Sequence, residues 1–518
     1  MRVLITLLFL IAVFTVHAQT TFYSQINHAG YSTTLKKLSD GNLLSANSDN
    51  YTVEVIKTDT NGLFIWQSTL PAPWTEVIEV EEAADGGIFV LMYGPYQQNR
   101  CAYVLRLKSN GLLDWHQGYH HLSNDYFLDI QAMPDTGFMV IGNGCSAAGA
   151  QLVRCKKTGS IAWDKTYIDA NGKYFGFTQF VLVNNGTELL FSGYTVAPAV
   201  DEDLLVAKMD TAGNLLWLKE YPLAGSFDVP MAITETPTGF AVAFFYQYPL
   251  PNSTYYRSGL AGFDASGNMQ WLARYYFPTS SMPKCLGVLP DSSLTFGGTI
   301  LYAQDSTKFR ALLVHTSPMG QQLWSYSFSD SVYSNGSSQA VEALVISGTD
   351  AYLTGGGYMM YLAKTNSSGY GMCLPVYGGP QTVYLPVPAA VSRSLYSYTG
   401  AWTAFPATAT PTSAITMQGY TSCTNIITQS AEIVSADQWT VSSDPFSDGW
   451  IVTSPASSTT EKVVVQVYDA MGRIVLHTTF SGGNGTYRLE RNGLAAGVYF
   501  YSISGENTNL GSGKILAR

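Results

Sequence analysis

LLVAKMDTAGNLLW, residues 204–217, reads as a strand, a tight turn and the start of a second strand. Leu204 to Met209 are mostly apolar, Asp210 to Gly213 form the turn, and Trp217 anchors the second strand. An Asp opening such a turn accepts hydrogen bonds from nearby backbone N–H groups, and a Gly three residues on adopts the left-handed conformation that closes a bulged hairpin. The unit recurs through most of the chain. Its glycines are Gly62, Gly111, Gly159, Gly213, Gly267, Gly320 and a degenerate Gly369, at spacings of 49, 48, 54, 54, 53 and 49 residues. Four residues past the first six stand Trp66, Trp115, Trp163, Trp217, Trp271 and Trp324; Cys373 replaces the tryptophan in the last copy.

A period near fifty residues carried by strands predicts a propeller. Each repeat holds four strand candidates, as in Pro230–Thr234, Phe240–Tyr246, Gly259–Asp264 and Met269–Tyr275 of the fifth. Seven such repeats predict an all-β fold, a seven-bladed β-propeller within residues 19–373, with blade one beginning near Tyr31 and blade seven ending near Cys373. On this reading the last strand of blade seven comes from the residues after Gly369. The repeated tryptophans read as core, because equivalent positions fill equivalent gaps.

Arg2 followed by the apolar run Val3–Val16 and by Val16-His17-Ala18 reads as a signal peptide over residues 1–18, cleaved before Gln19. The apolar run is short for a bilayer, no Cys follows the cut to carry a lipid, and no later stretch reads as a transmembrane helix. An exported protein is expected. Charged residues make up only 12% of the chain and net charge is -10 without a basic run, which argues against nucleic acid and anionic membranes as partners. The six cysteines show no CxxC spacing, so no zinc site is expected. In an oxidising compartment Cys373 and Cys423 could pair around a segment unlike the rest.

That segment, residues 374–437, is rich in Pro, Thr and Tyr and nearly free of charge. It reads either as a connector or as a small β insert with Tyr384, Leu385, Val387, Leu395, Trp402 and Phe405 as its core. From residue 438 to 518 the pattern restarts as a separate β-sandwich: KVVVQVYDAMGR (462–473) runs into a turn, Ile474–Thr478 returns as its hairpin partner, and LAAGVYFYSI (494–503) is a further strand.

DPFSDGW (444–450), VYDAMGR (467–473), GLAAGVYFYSI (493–503) and GKILAR (513–518) together resemble the C-terminal sorting domain of type IX secretion cargo of Bacteroidota. The family's usual opening, similar to Pro-Asn-Pro, is replaced here by Ser443-Asp444-Pro445. The resemblance implies the type IX machinery as partner, removal of the tail, and a secreted or cell-surface product. The repeats are similar to propeller-like proteins of such bacteria, a likeness that implies no activity.

Enzyme signatures are absent: there is no HExxH, GxSxG, phosphate loop or dinucleotide fingerprint, and no cofactor is expected. His116, His120 and His121 with Asp114 and Asp125 lie on an outer strand and its exit loop, where they do not converge as metal ligands must. The loop Asp169 to Gly172 lacks the later Glu of a calcium loop and reads as a turn. Alternating strands place the variable loops on the face opposite the Asp-to-Gly turns, as binding loops on rigid scaffolds are placed. The longest spans Gln247–Arg257 and offers Tyr248, Tyr255 and Tyr256 as stacking rings with Arg257 as donor; Trp74, Tyr126, Tyr174 and Tyr333 share that face. These residues suit a non-catalytic binder of a glycan or a protein. The other reading is that these rings pack on Pro249 and Pro251 and only order the loop. The alternative function, a polysaccharide hydrolase or lyase, needs two acids, or an acid and a histidine, converging at the channel mouth; Glu76 and Asp228 are acidic candidates with no partner assignable from sequence.

Overall fold

The computed structural model describes residues 19–517 apart from short stretches, those longer than ten residues being 329–339, 366–380, 407–418 and 428–439; from residue 381 to 427 it describes only the backbone of the strands. The chain forms two compact units, residues 1–427 and 428–518.

In the first unit, seven antiparallel sheets follow one another in sequence. Blade one is Tyr31–Lys37, Leu43–Ser48, Thr52–Thr58 and Phe64–Pro71, paired in that order. The first strand of each blade touches the first strand of the next, and blade seven's, Ala343–Ser347, touches that of blade one. Seven apolar clusters fill the seven gaps between neighbours, the last being Leu35 and Leu43 of blade one with Tyr352 and Leu362 of blade seven. This is a closed seven-bladed ring.

The turns behave as their chemistry predicts. Asp210 Oδ1 accepts the N–H groups of Ala212 at 3.0 Å and Asn214 at 2.8 Å, Gly213 has φ +75°, and the strand register slips at Lys208/Met209, which marks the bulge. Glycine is needed here on two counts. Besides the positive φ, a β-carbon on Gly213 would lie 2.9 Å from the Trp163 ring of the preceding blade. The same contact joins Trp66 to Gly111, Trp115 to Gly159, Trp217 to Gly267 and Trp271 to Gly320. The six tryptophans are half-buried rather than enclosed in a core, and these five lie across the gap onto the next blade's turn. Four residues past the tryptophan, in blades two to five, a tyrosine hydroxyl donates to the same glycine's carbonyl: Tyr119 to Gly159 at 2.6 Å, Tyr167 to Gly213 at 2.7 Å, Tyr221 to Gly267 at 2.5 Å and Tyr275 to Gly320 at 2.6 Å.

Two expectations are corrected. The fourth strand of blade seven is Gln19–Ile26, from the other end of the chain, paired antiparallel with Met360–Thr365. Closing the ring with a strand from the opposite terminus removes an open edge and ties the two ends of the ring by hydrogen bonds. Gly369 and Cys373 lie outside the described residues. The segment after them does not make a sheet of its own among the described residues. It supplies fifth strands in reverse blade order: Gln381–Tyr384 on blade five, Val391–Ser392 on blade four, Leu395–Tyr398 on blade three and Thr403–Pro406 on blade two. Gly419–Ile427 then pairs with the ring-closing strand, Gln19 opposite Ile427. Pieces of two to four residues bury too little to form a core alone, whereas each outer blade edge offers N–H and C=O groups ready to pair.

The second unit has a three-stranded sheet (Thr440–Ser443, Gly449–Thr453, Thr486–Glu490) and a four-stranded one (Ile474–Ser481, Lys462–Tyr468, Gly497–Ser504, Asn509–Ala517). Strict alternation in KVVVQVY points Val463, Val465 and Val467 inward, where they pack with Trp450, Tyr501 and Ile503 from both sheets. It is a small β-sandwich, with the hairpin of residues 462–481 as predicted.

Candidate functional site

The first strands of all seven blades line a central channel of about 730 Å³. Six of them slip register near their middle, at Ser32/Thr34, Val77/Glu79, Phe127/Asp129, Phe177/Gln179, Pro230/Ala232 and Pro283/Cys285. A bulge turns an extra side chain toward one face and frees the adjacent one to reach sideways. Those freed residues latch the ring: Asp129 accepts the Phe180 N–H of the next blade at 2.9 Å, and Gln179 accepts that of Ile233 at 3.2 Å.

The acids at the channel are held from within. Glu79 accepts from the Thr34 hydroxyl, and at 2.9 Å from the Val80 N–H. Lys36 pairs with Glu81, whose Oε1 also accepts from Gln131 at 3.3 Å, and Lys284 pairs with Glu342 at 2.6 Å. Burial pushes the Glu79 carboxyl up to about 7 despite its hydrogen bonds and the Lys36 charge. Burial, with the Glu79 charge adding to it, raises Asp129 well above the carboxylate range, and burial raises Glu81 against the pull of Lys36. None of these positions carries a sequence motif; their signal is only that polar residues stand where other blades carry apolar ones.

The aromatic loop has a different form from the one expected. Gly239–Leu250 and Ser253–Asp264 run on as a hairpin almost to its tip, with Tyr248 opposite Tyr255 and Tyr246 opposite Arg257. Arg257 is buried and donates to the Thr279 carbonyl at 3.1 Å, with its guanidinium 5.4 Å from the half-buried Tyr255 ring. Tyr256 is exposed and meets Phe245 edge-on at 5.4 Å. Tyr174 is half-buried, 6.5 Å from Tyr194. Tyr126 opens the first strand of blade three, and Trp74 and Tyr333 lie outside the described residues.

His116 is half-buried beside Tyr103, ring centroids 5.5 Å apart, and desolvation lowers its pKa to about 4. Asp114 lies 3.4 Å from Arg106, while His121 and Asp125 are outside the described residues. Among the described residues no group of three His, Cys, Asp or Glu side chains could hold a metal. Asp169 accepts the Asn171 N–H at 2.7 Å in a plain turn. Asp228 is buried 3.5 Å from Arg274, whose guanidinium sits 4.0 Å over Tyr246, and Glu76 is exposed. Neither lines the channel. Cys101 and Cys155 are buried, Cys285 is half-buried, and Cys423 stands opposite Tyr23 in the outermost strand of blade seven.

A sandwich built on the valines of residues 462–467 and closed by the final strand is the module singled out by sequence. Residues 445–517 match the secretion system C-terminal sorting domain. Three solved structures resemble the chain distantly. A catalytically inactive virginiamycin B lyase from Staphylococcus aureus is similar at 12% identity and TM-score 0.43, over 67% of this chain and all of that one. Drosophila Plexin A, solved with Semaphorin 1b, is similar at 10% identity and TM-score 0.36, over 67% of this chain and 87% of that one. Prolyl oligopeptidase B from Galerina marginata is similar at 11% and 0.38, over 69% of this chain and 52% of that one. No curated protein matches the chain. No helix among the described residues is long and apolar enough to cross a membrane.

Proposed function

We propose that the chain is cargo of the type IX secretion machinery whose ring acts outside the cell, released or held at the surface, as a non-catalytic binder of a glycan or a protein. The sorting domain supports export. The observation that carries the binding reading is that each acid lining the channel is engaged by a partner within the ring. A catalytic pair needs instead a proton donor and a base both free to reach substrate. Cell fractionation tests the first half: without residues 438–518 the ring should remain in the periplasm, and its normal appearance at the surface would remove the sorting role. A glycan array with the purified ring tests the second half.

One observation favours a hydrolase or lyase as the second reading. Glu79, with a pKa near 7, could hold a proton at neutral pH as a general acid does, and Glu81 follows it on the same strand face. A polysaccharide hydrolase screen in which Glu79→Gln abolished turnover would establish this reading over the first.

A further inference from the structure

The channel carries one ring of equivalent positions that departs from the repeat. Register identifies it: Lys36 faces Leu44, Glu81 faces Phe89 and Gln131 faces Met139 in the second strands of blades one, two and three. The same place holds Val181, Thr234, Gly287 and Val345 in blades four to seven. All seven border the channel. Four blades thus fold with an apolar or small residue there, so the fold does not demand charge at this level. Burying an ion pair costs several kcal/mol of desolvation per ion, and replacing such a pair by apolar residues is often neutral or stabilising. A Lys–Glu–Gln arc on three consecutive blades therefore calls for another reason.

Its chemistry narrows the choice. Lys36 donates to Glu81 and Gln131 donates to the same Glu81 oxygen at 3.3 Å, so acceptor and donors lie side by side. The Lys36 side chain keeps 37% of its surface open while that of Glu81 keeps 7%. Lysine and glutamate cancel, so the arc offers little net pull to an anion or a cation. On the two blades that flank the arc, Val181 and Val345 supply apolar surface. Adjacent donors and acceptors flanked by apolar side chains fit a ligand whose neighbouring hydroxyls are bordered by C–H groups. A volume of about 730 Å³ falls within the roughly 300–1,000 Å³ of small-ligand sites.

Resting on the binding reading above, we infer that the channel at Lys36, Glu81 and Gln131 is a sugar-binding site, taking an uncharged saccharide end by its vicinal hydroxyls. The test titrates labelled cellohexaose, laminarihexaose and mannohexaose against the full chain and three variants. The double variant Lys36→Met/Glu81→Leu should lose affinity at least tenfold for whichever sugar binds, while its urea midpoint stays equal or rises. Gln131→Val, which copies the residue of blade four, should weaken binding about threefold to tenfold with the midpoint unchanged. Tyr255→Ala/Tyr256→Ala reports on the outer hairpin and should bind as the parent does. Affinity lost only in the tyrosine variant would overturn the channel site and leave the binding reading standing. A midpoint that collapses in both channel variants would make the arc structural and overturn the site. If the parent chain bound none of the three sugars, the site would be refuted and the binding reading would continue only as protein binding.

Discussion

The Tyr167 hydroxyl donates at 2.7 Å to the carbonyl of Gly213, the same glycine whose open α-carbon is covered by Trp163 of Tyr167's own blade. One strand thus grips its neighbour's turn twice, by ring and by hydroxyl. Gly213→Ala should therefore cost about 2–4 kcal/mol, from the left-handed backbone and from a β-carbon with nowhere to go. Gly41 has φ +87° but nothing within 4 Å of an added β-carbon, so Gly41→Ala should cost only about 1 kcal/mol. Urea unfolding of the two variants side by side separates backbone from contact. Equal losses would mean that the tryptophan contact contributes nothing.

Blade three's first turn places Thr136 at φ +69°, and blade six's places Ser292 at +69°, where blades one and two use Gly41 and Gly86. A β-branched residue in the left-handed region is strained. Thr136→Gly should stabilise the ring by about 0.5–1 kcal/mol after the extra freedom of glycine in the unfolded chain is subtracted. Ser292→Gly should gain less. Thermal unfolding shows the direction, and a lower midpoint in Thr136→Gly would contradict the strain.

Glu79 titrates near 7 in the folded ring against an ordinary value of 4.5. Between those values the folded state keeps a proton that the unfolded state has released, so stability falls as pH rises through this window and is level above it. Glu79→Gln should flatten that slope and raise stability at pH 8 by about 1–3 kcal/mol over the parent. Asp129 and Glu81, raised as well, leave a residual slope in the same direction. Urea midpoints measured from pH 4 to pH 8 check this, and a parent profile that climbs toward pH 8 would contradict it.

Separate cores predict separate unfolding. A chain ending at Ile427 should unfold at the same urea midpoint as the ring in the full chain, because the sorting domain's core draws only on its own strands. A chain ending at Thr365 loses the added strands on blades two, three, four, five and seven. It should unfold at lower urea, and the amides of Gln19–Ile26 should exchange faster than those of blade four. Equal midpoints for the two truncations would show that the added strands do not stabilise the ring.

Blade number and hairpin chemistry were legible because they repeat: Gly and Trp recur at one offset for a reason now visible in pairs such as Trp163 and Gly213. The tyrosines four residues past the tryptophans carry the same period and could have been found the same way. Closure by Gln19–Ile26 was not legible, since pairing between distant segments leaves no local pattern. The segment from residue 381 to 406 was opaque for a related reason: strands of two to four residues show no periodicity, and their partners are the edges of four different blades. The polar arc at Lys36, Glu81 and Gln131 became visible only through register, which shows that a lysine, a glutamate and a glutamine occupy the place that blades four and seven give to a valine.

The ring's first and last strands lie side by side, with Gln19 opposite Ile427. Partners in an antiparallel pair are about 5 Å apart at their α-carbons. A loop of two to five residues is enough to join such strands as a hairpin. Residue 427 could thus be spliced to residue 19 and the chain reopened in any exposed turn, giving circular permutants of one ring. Blade seven, now assembled from three separate parts of the sequence, would then be assembled from two.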